Sequence, residues 1–265
     1  MEEYYKVNKA RWNELVEIHA KSDEYDLEGF LSGKNSLHEL EMELLGDVKN
    51  KKLLHLQCHF GLDTISWARL GADVTGVDFS EEAIELAREL SSRTGVDAEF
   101  ICSNLYDLPR RHDSTYDIVY TSYGVLCWLH DTNRWAEVIS HFLRPGGTFL
   151  LVESHPFMWV FDDEADGLRV KYSYWHNDEP LSWEEDGSYA DETAHVTNKK
   201  SFEWQHTVSD VLNSLIRAGL TIVEVGEFPK LVWKYLPVAE KADETHYRIP
   251  GDPLPQTWSV KAVKK

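Results

Sequence analysis

The sequence predicts an α/β fold built on a doubly wound parallel sheet of seven strands, and three observations support this prediction. Short, almost continuously apolar segments alternate with segments whose apolar residues recur at helical spacing, which is typical of parallel strands buried between helices. Residues 156–206 interrupt the alternation with ten aromatic and twelve acidic residues. The alternation then resumes and supplies the last two strands.

The first 50 residues are predicted to form a helical N-terminal cap. Trp12, Leu15 and Val16 fall at helical spacing, and a Gly/Ser-rich break follows at 32–36. A second helix ending at Gly46 is indicated by four leucines, Leu37, Leu40, Leu44 and Leu45.

The next segment, 51–155, is predicted to hold the first five strands. Ser80 can cap the helix after the second strand, because acidic residues follow it in the first turn. Residues 144–147, Arg-Pro-Gly-Gly, are interpreted as a turn before the fifth strand. The five predicted strands are 53–56, 73–77, 98–102, 116–121 and 148–152.

Residues 156–206 are interpreted as an inserted, antiparallel substrate cap with β-like runs such as 170–174. A helix is predicted to begin at Thr207, with Asp210 at the capping-box position, and to end at Gly219. Strands at 220–225 and 258–263 then complete the sheet, so the core is predicted to comprise 51–155 and 207–265.

Composition narrows the function classes. The net charge is −19, and a surface this acidic repels phosphate backbones, so nucleic acid is not expected as a partner. No apolar run approaches the ~20 residues that span a bilayer, and the acidic N-terminus lacks the pattern of a signal peptide. Cys58, Cys102 and Cys127 form no CxxC pair, so neither a disulfide framework nor a metal site is expected. We expect a cytoplasmic protein without a membrane partner, and its oligomeric state stays open.

Three strand ends carry residues suited to a nucleotide. The loop from Gln57 to Gly61 follows the first strand and leads into a helix N-terminus. Asp78 ends the second strand, where a carboxylate can accept hydrogen bonds from two ribose hydroxyls. Asn104 follows the third strand, where an amide can read an adenine edge. In such sheets, ligands bind at the carboxyl ends of the strands.

These segments resemble the class I S-adenosylmethionine-dependent methyltransferases over nearly the whole chain. The resemblance is carried by Leu54–Thr64 (LHLQCHFGLDT), Thr75–Ser80 (TGVDFS), Tyr116–Tyr120 (YDIVY) and Leu143–Gly147 (LRPGG). It implies a Rossmann-like fold, S-adenosylmethionine as cofactor and S-adenosylhomocysteine as product. The chain departs from the common first motif, because His55, Gln57 and His59 replace an acid and two glycines. We interpret LQCHFG as a subfamily form found in bacterial methyltransferases that act on small molecules.

The resemblance also implies roles for individual residues. The loop of Gln57, Cys58, His59 and Gly61 would cradle the methionine portion of the cofactor, and Asp78 would hold the ribose. Beside the adenine would lie Phe79, Asn104 and the backbone of Leu105. Along the path to the sulfonium and over the cofactor would lie Thr121, Ser122, Tyr5, Trp12 and His19.

Three candidate catalytic residues lie near the ends of the insertion, and a fourth follows the fourth predicted strand. Glu153, His155 and His206 could act as a general base, and Tyr123 could orient a substrate. Rings of the insertion could form a lid over a cationic or aromatic methyl acceptor, or could simply form the core of the cap. These rings belong to Trp159, Tyr172, Tyr174, Trp175, Trp183 and Tyr189.

Two other functions remain open. The altered first motif is compatible with a non-catalytic module that binds S-adenosylmethionine or S-adenosylhomocysteine. A NAD-dependent oxidoreductase would also place an acid after a strand–loop–helix unit. The missing G-x-G-x-x-G weakens this second alternative, because a pyrophosphate needs a close backbone approach.

Overall fold

The structure is a computed structural model that describes all residues from 1 to 265. No helix in it combines the length and the apolar character that crossing a bilayer requires. The helices are α1 (Glu2–Lys21), α2 (Leu27–Leu31), α3 (Glu39–Leu45), α4 (Leu62–Arg69), α5 (Glu81–Thr94), α6 (Thr132–Phe142) and α7 (Val208–Arg217). The strands are β1 (Lys52–Leu56), β2 (Asp73–Asp78), β3 (Glu99–Cys102), β4 (Tyr116–Ser122), β5 (Leu143–Ser154), β6 (Leu181–Glu184), β7 (Lys200–Glu203), β8 (Leu220–Phe228), β9 (Lys230–Leu231), β10 (Glu240–Lys241), β11 (Tyr247–Arg248) and β12 (Thr257–Lys264).

Seven strands form the central sheet in the order β3-β2-β1-β4-β5-β12-β8. The first five run parallel, and β12 lies antiparallel to both β5 and β8. The predicted α/β class, the strand count and the antiparallel end of the sheet are confirmed. Since the strand order reverses between β1 and β4, the carboxyl ends of these strands form the crevice in which such sheets bind ligands.

Two predicted helix starts are present. The Ser80 hydroxyl accepts a hydrogen bond from the Ala83 N–H and caps α5. Thr207 and Asp210 form the expected capping box at the start of α7. Each satisfies backbone N–H groups that the first turn of a helix leaves free. The amphipathic faces of α6 and α7 then pack together against the sheet, with Trp135 and Trp258 in the core cluster.

The prediction of a separate turn at 144–147 is wrong. Residues Leu143–Ser154 form one strand, and its register with β4 shifts between Tyr116 and Ile118. The Arg-Pro-Gly-Gly segment is an irregularity within that strand, where Gly146 takes a φ of +78°. Sequence analysis also missed the short 3₁₀ helix at Leu105–Arg110.

The insertion contains an antiparallel hairpin of β6 and β7, as predicted. The β-like run at 170–174 is not a strand, because Val170 makes only an isolated bridge to Phe161 and is 70% exposed. The neighbouring Lys171 instead pairs with the buried carboxylate of Asp162. The boundaries proposed for the three domains stay a prediction.

A second small sheet, β10-β11-β9, lies between the last two strands of the core and was missed. It packs against the start of the insertion through an apolar cluster of Met158, Val160, Phe161, Leu236 and Ile249. The signal was the gap from Val225 to Trp258, which is far longer than the two to five residues of an ordinary hairpin loop. The small sheet and the start of the insertion therefore share one apolar cluster.

Candidate functional site

One cavity of about 1050 Å³ lies at the carboxyl ends of the parallel strands. Its walls come from the loop after β1, the ends of β2 and β4, helix α1, the β6–β7 hairpin and the β9–β11 sheet. Twelve side chains or glycines singled out from the sequence line it: Tyr5, Trp12, Gln57, Cys58, His59, Gly61, Asp78, Phe79, Asn104, Leu105, Ser122 and Tyr123. The sheet thus brings most of the predicted cofactor residues together.

The loop after β1 keeps a left-handed backbone at three alternate positions. Gln57, His59 and Gly61 have φ angles of +59°, +50° and +78°. Glycine adopts such angles without cost, whereas other L-residues lose about 1–2 kcal/mol each. Gln57 partly offsets this through a 2.9 Å hydrogen bond from its Nε2 to the Val125 carbonyl. The loop therefore follows the path of a glycine-rich turn with two side chains added.

Gly61 is the one position of this loop that has no room for a side chain. A Cβ added there would lie 2.5 Å from Cε1 of Phe100 and 3.1 Å from Cβ of Ala87. Both neighbours belong to the apolar cluster beneath the loop. This close packing explains why Gly61 remains while the other two glycines of the common motif are replaced.

Asp78 is held in place by two backbone donors at the end of β2. Its Oδ2 accepts a 2.9 Å hydrogen bond from the His59 N–H, and its Oδ1 accepts one of 2.9 Å from the Ser80 N–H. Burial raises the pKa of this carboxyl to about 6, and the backbone donors partly oppose that shift. The carboxylate is therefore oriented on the cavity wall and is ionised at neutral pH.

Unpaired polar groups lie at the other end of the loop. His55 stands 2.9 Å from Thr64 through Nδ1, while its Nε2 is buried without a partner. Gln57 Oε1 is likewise buried and unpaired. Buried polar atoms are nearly always hydrogen-bonded in folded proteins, so these two indicate a place for a polar ligand.

A carboxylate lies close to this end of the cavity, although not at the position expected from the motif. Asp63 in the first turn of α4 lines the cavity and accepts a 2.6 Å hydrogen bond from the Ser36 hydroxyl. Burial raises its pKa to about 6. The common motif has an acid at position 55, where this chain has a histidine. A carboxylate is instead present eight residues later, at Asp63 on α4. The groups present fit the amino acid end of S-adenosylmethionine.

Asn104 caps the 3₁₀ helix that follows β3. Its Oδ1 accepts a 2.9 Å hydrogen bond from the Tyr106 N–H, while its Nδ2 donates to no protein group. Leu105, the next residue, is buried in the main core cluster. Asn104 and Phe79 both line the cavity, so the Asn104 amide donor is available to a ligand there.

Helix α1 closes the cavity over the loop. The Trp12 ring lies edge-on to those of His59 and Trp128, with centroid distances of 5.3 Å in both cases. Tyr5 reaches the cavity with its hydroxyl 2.6 Å from Nδ1 of His130. His19 lies behind the wall, where its two ring nitrogens are 3.0 Å from His59 Nε2 and 2.6 Å from the Ser188 hydroxyl. Burial lowers the pKa of His19 to about 4, so this bridge is neutral.

Two polar residues of α1, which sequence analysis missed, attach the β6–β7 hairpin. The Asn8 side chain bonds both the N–H and the carbonyl of Phe202 at 2.8 Å. The guanidinium of Arg11 donates to the carbonyls of Glu185 and Gly187 at 3.0 Å, and to two further carbonyls at 3.2 Å. The signal was their spacing, because Asn8, Arg11, Leu15 and His19 fall on one buried face of α1.

The three candidate bases do not line this cavity. Glu153 is buried and accepts hydrogen bonds from the N–H groups of Val125 at 2.8 Å and Leu126 at 3.2 Å, which holds the segment after β4. His155 lies 3.0 Å from Glu227. His206 contacts the Leu129 carbonyl at 2.6 Å, and burial lowers its pKa to about 4. Their role as a base stays a prediction, and these contacts give each of them a structural task.

The remaining candidates lie at the end of β4, where neighbouring side chains have different surroundings. Ser122 lines the cavity, whereas Thr121 is fully buried and donates to the Leu56 carbonyl at 3.3 Å, because successive side chains of a strand alternate between its faces. The Tyr123 hydroxyl donates to Glu41 at 3.2 Å, and burial, followed by the nearby Glu41, raises its pKa well above 10. Tyr123 is therefore a protonated phenol that can shape the wall but is unsuited to removing a proton.

Aromatic rings of the insertion and of the β9–β11 segment line the cavity. Four of the six lid residues expected from the sequence line it, namely Trp159, Tyr172, Trp183 and Tyr189. Tyr174 and Trp175 do not, since the Tyr174 hydroxyl accepts from the Val208 N–H and Trp175 is 70% exposed. Sequence analysis missed four further rings that line it: Trp204 of the insertion, and Trp233, Tyr235 and Tyr247 of the β9–β11 segment. No group of three or more His, Cys, Asp or Glu side chains is placed to hold a metal ion.

Comparison with known proteins connects this geometry to a family. Residues 53–147 match the family described as "Methyltransferase domain". The chain is 28% identical over 142 residues to the ubiquinone biosynthesis O-methyltransferase of Saccharophagus degradans, a match that covers 52% of this chain and 60% of that protein. The enzyme of the same name from Bordetella avium is 30% identical over 121 residues, covering 45% and 50%. The chain thus spans half to three-fifths of these relatives.

Solved structures show the same fold over a longer stretch. The S-adenosylmethionine-dependent methyltransferase from Mesorhizobium loti has a TM-score of 0.59 and 22% identity, covering 88% of this chain and all of that one. The corresponding protein from Clostridium acetobutylicum has a TM-score of 0.57 and 14% identity, covering 93% and 94%. The fold is therefore shared along most of the chain.

Proposed function

We propose that this chain, whose residues 53–147 match a methyltransferase-domain family, transfers a methyl group from S-adenosylmethionine to a small molecule. The observation that carries the proposal is the single cavity that joins the β1 loop, Asp78 and Asn104 to the aromatic cap. Its volume of about 1050 Å³ is at the upper end of the range for ligand pockets, which gives room for a cofactor and an acceptor together.

The cofactor half of the cavity offers a partner for each part of S-adenosylmethionine. Asp78 would accept hydrogen bonds from the ribose, and the Asn104 amide would donate to the adenine beside Phe79. Asp63, His55 and Gln57 would bind the amino acid end. When bound, S-adenosylmethionine supplies a methyl group already activated on a sulfonium.

The protein then has mainly to align the acceptor and exclude water. Trp12 and the hairpin held by α1 cover the loop, and the cap aromatics supply an apolar wall for the acceptor. A general base is required only where the acceptor arrives protonated at the reacting atom. The curated relatives are named as O-methyltransferases of ubiquinone biosynthesis, so phenols belong in a test set.

The first experiment is calorimetric titration of the purified protein with S-adenosylmethionine, S-adenosylhomocysteine and NAD, after a check for copurified ligand. We expect micromolar binding of the two sulfur compounds and no binding of NAD. Turnover of labelled S-adenosylmethionine with a panel of phenols, carboxylates and amines then tests catalysis. Failure of folded, ligand-free protein to bind either sulfur compound would contradict the proposal.

A non-catalytic module that binds the same cofactor is the second candidate, favoured by the two strained side chains in the β1 loop. Binding without turnover of any acceptor would support it. Binding of NAD in place of the sulfur compounds would support an oxidoreductase. The cytoplasmic location expected from the sequence stays a prediction.

A further inference from the structure

Glu203, at the end of β7, lies on the cavity wall without a counterion. Arg11, whose positive charge acts on it, is occupied by Glu185 and by backbone carbonyls. The buried indole N–H of Trp183 lies near Glu203 and favours its charged form, although it is farther away than a normal hydrogen bond. The half of the cavity beneath the cap therefore contains a carboxylate that no protein cation pairs with.

This carboxylate is half-buried on the cavity wall and no cation is paired with it. Burial is the main cause that raises the Glu203 pKa to about 7, and Glu185 raises it further, while Trp183 and Arg11 oppose the shift. An ionised carboxylate in such a place costs free energy unless a cation pairs with it. A cationic ligand would supply that pair.

Two pairs of aromatic rings stand around the same space. Trp159 and Tyr235 meet edge to face with centroids 4.7 Å apart, and Tyr172 and Trp183 do so at 5.2 Å. All four rings line the cavity with Glu203. Aromatic ring faces attract cations, most strongly where water is excluded.

The charge of the whole cavity points the same way. Ten carboxylates and three lysines line it, so its electrostatic potential favours a positive ligand. Lys171, which is paired with Asp162 and does not line the cavity, lies 5.0 Å from the Tyr172 ring centroid.

Glu203 also lies close to the cofactor half. The residue after it, Trp204, donates a 2.8 Å hydrogen bond to the Cys127 carbonyl, in the segment that follows β4. Burial raises the pKa of the Cys127 thiol, with the Glu203 charge as the second cause. A ligand paired with Glu203 would therefore lie beside the segment that leads to the methyl donor.

We propose that Glu203, together with Trp159, Tyr172, Trp183 and Tyr235, binds a cationic nitrogen of the methyl acceptor. Calling the bound molecule the acceptor rests on the proposed function. Recognition of the cation does not, because it depends only on the carboxylate and the rings. This site makes amines the substrate class to examine first, together with quaternary ammonium compounds that carry a separate nucleophilic atom, because a nitrogen without a lone pair cannot accept the methyl group.

The test uses choline and its uncharged isostere 3,3-dimethylbutan-1-ol as probes. Choline keeps its charge at every pH, so the pH dependence of its binding reports on the protein. Calorimetric titrations are made on the full chain with and without saturating S-adenosylhomocysteine, which has no sulfonium charge. The variants are Glu203→Gln, which keeps shape and removes charge, and Glu184→Gln, an exposed control on the same hairpin.

We expect choline to bind at least about tenfold more tightly than the alcohol, from an ion pair and cation–π contacts. Glu203→Gln should reduce that preference to the part that the aromatic rings supply, and Glu184→Gln should retain it in full. Choline affinity should rise more steeply between pH 6 and pH 8 in the wild type and in Glu184→Gln than in Glu203→Gln, because Glu203 has a pKa of about 7. The rise that remains in Glu203→Gln comes from Asp63 and Asp78, which line the same cavity and have pKa values of about 6. Burial raises the pKa values of Tyr235 and Cys127, so neither ionises in this range. Unfolding curves at each pH show that the variants are folded.

Equal binding of the two probes, or an unchanged choline affinity in Glu203→Gln, would overturn the inference. If S-adenosylmethionine binds normally in that case, the proposed function survives without it. If choline is preferred but neither sulfur compound binds, the cation site stands and the methyltransferase proposal falls. The two failures are therefore distinguishable.

Discussion

The backbone N–H of His59 donates a 2.9 Å hydrogen bond to Oδ2 of Asp78, which ties the loop after β1 to the end of β2. His59 reaches this position only because its φ is +50°. The carboxylate expected to hold the ribose thus also stabilises the loop expected to hold the methionine portion. The two halves of the cofactor site form one hydrogen-bonded unit.

Asp78→Asn should weaken binding of S-adenosylhomocysteine by about tenfold or more, because hydrogen bonds to a charged acceptor contribute ~1.5–3 kcal/mol. Calorimetric titration measures the change. Asp73→Asn, at the exposed start of the same strand, is the matched control and should bind normally. An unchanged affinity in folded Asp78→Asn would remove the ribose role.

Asp63→Asn should act on one end of the cofactor only. If Asp63 pairs with the amino group, the substitution weakens the binding of S-adenosylhomocysteine by about tenfold, the typical effect of removing a charge-assisted hydrogen bond. It should leave 5′-methylthioadenosine, which lacks the amino acid end, unaffected. Asp78→Asn should weaken both ligands. Equal losses for both ligands in Asp63→Asn would show that its effect is on the fold rather than on the amino group.

Gly61→Ala should destabilise the protein by roughly 2–4 kcal/mol, since a left-handed φ and an overpacked contact add together. The added Cβ would meet the Phe100 ring at 2.5 Å. His59→Gly, which keeps the left-handed backbone and removes the side chain, is the comparison and should change stability by less than Gly61→Ala. Urea unfolding measures both. A stability loss in His59→Gly that equals that of Gly61→Ala would mean that the His59 contacts outweigh backbone strain.

The sequence predicted the parts of this molecule that periodicity and capping determine. The seven strands, the Ser80 cap and the Thr207–Asp210 capping box follow from local patterns, and so does the meeting of Asp78 and Asn104 at one sheet edge. The closure of α1 over the loop, through Trp12, was expected from the resemblance to the methyltransferases. The strands and the helix caps depend on short-range rules that act on a few neighbouring residues.

The residues missed by sequence analysis depend on contacts between distant segments. Arg11 and the hairpin carbonyls are about 175 residues apart in sequence, so no local pattern connects them. Trp233 and Tyr235 lie between the two-residue strands β9 and β10, and strands this short give no periodic signal in the sequence. Asp63 was overlooked because the first motif directs attention to position 55, where this chain has a histidine.

Glu41→Gln should flatten the pH dependence of stability between about pH 5 and 8. Burial raises the Glu41 pKa from 4.5 to about 8. The neutral form therefore contributes stability that is complete below pH 4.5 and is lost as pH rises through 8, with a slope of up to about 1.4 kcal/mol per pH unit. A glutamine can still accept from the His38 N–H and donate to the Tyr123 oxygen. Identical slopes for wild type and variant in urea unfolding would show that Glu41 does not titrate in this range.

Arg11→Met should loosen the hairpin while sparing the core. The Arg11 guanidinium is buried and donates to four carbonyls of the insertion, and the loss of those donors leaves acceptors whose desolvation costs ~1–3 kcal/mol each. Hydrogen exchange should accelerate in residues 181–203 and remain slow in β1, β4 and β5. Lys9→Met, on the same helix as Arg11, removes only an exposed ion pair with Glu81 of α5 and should leave exchange unchanged. Because the hairpin carries Trp183 and Glu203, Arg11→Met should also weaken acceptor binding more than cofactor binding. Uniform acceleration across the sheet would instead mean that α1, the hairpin and the core unfold as one unit.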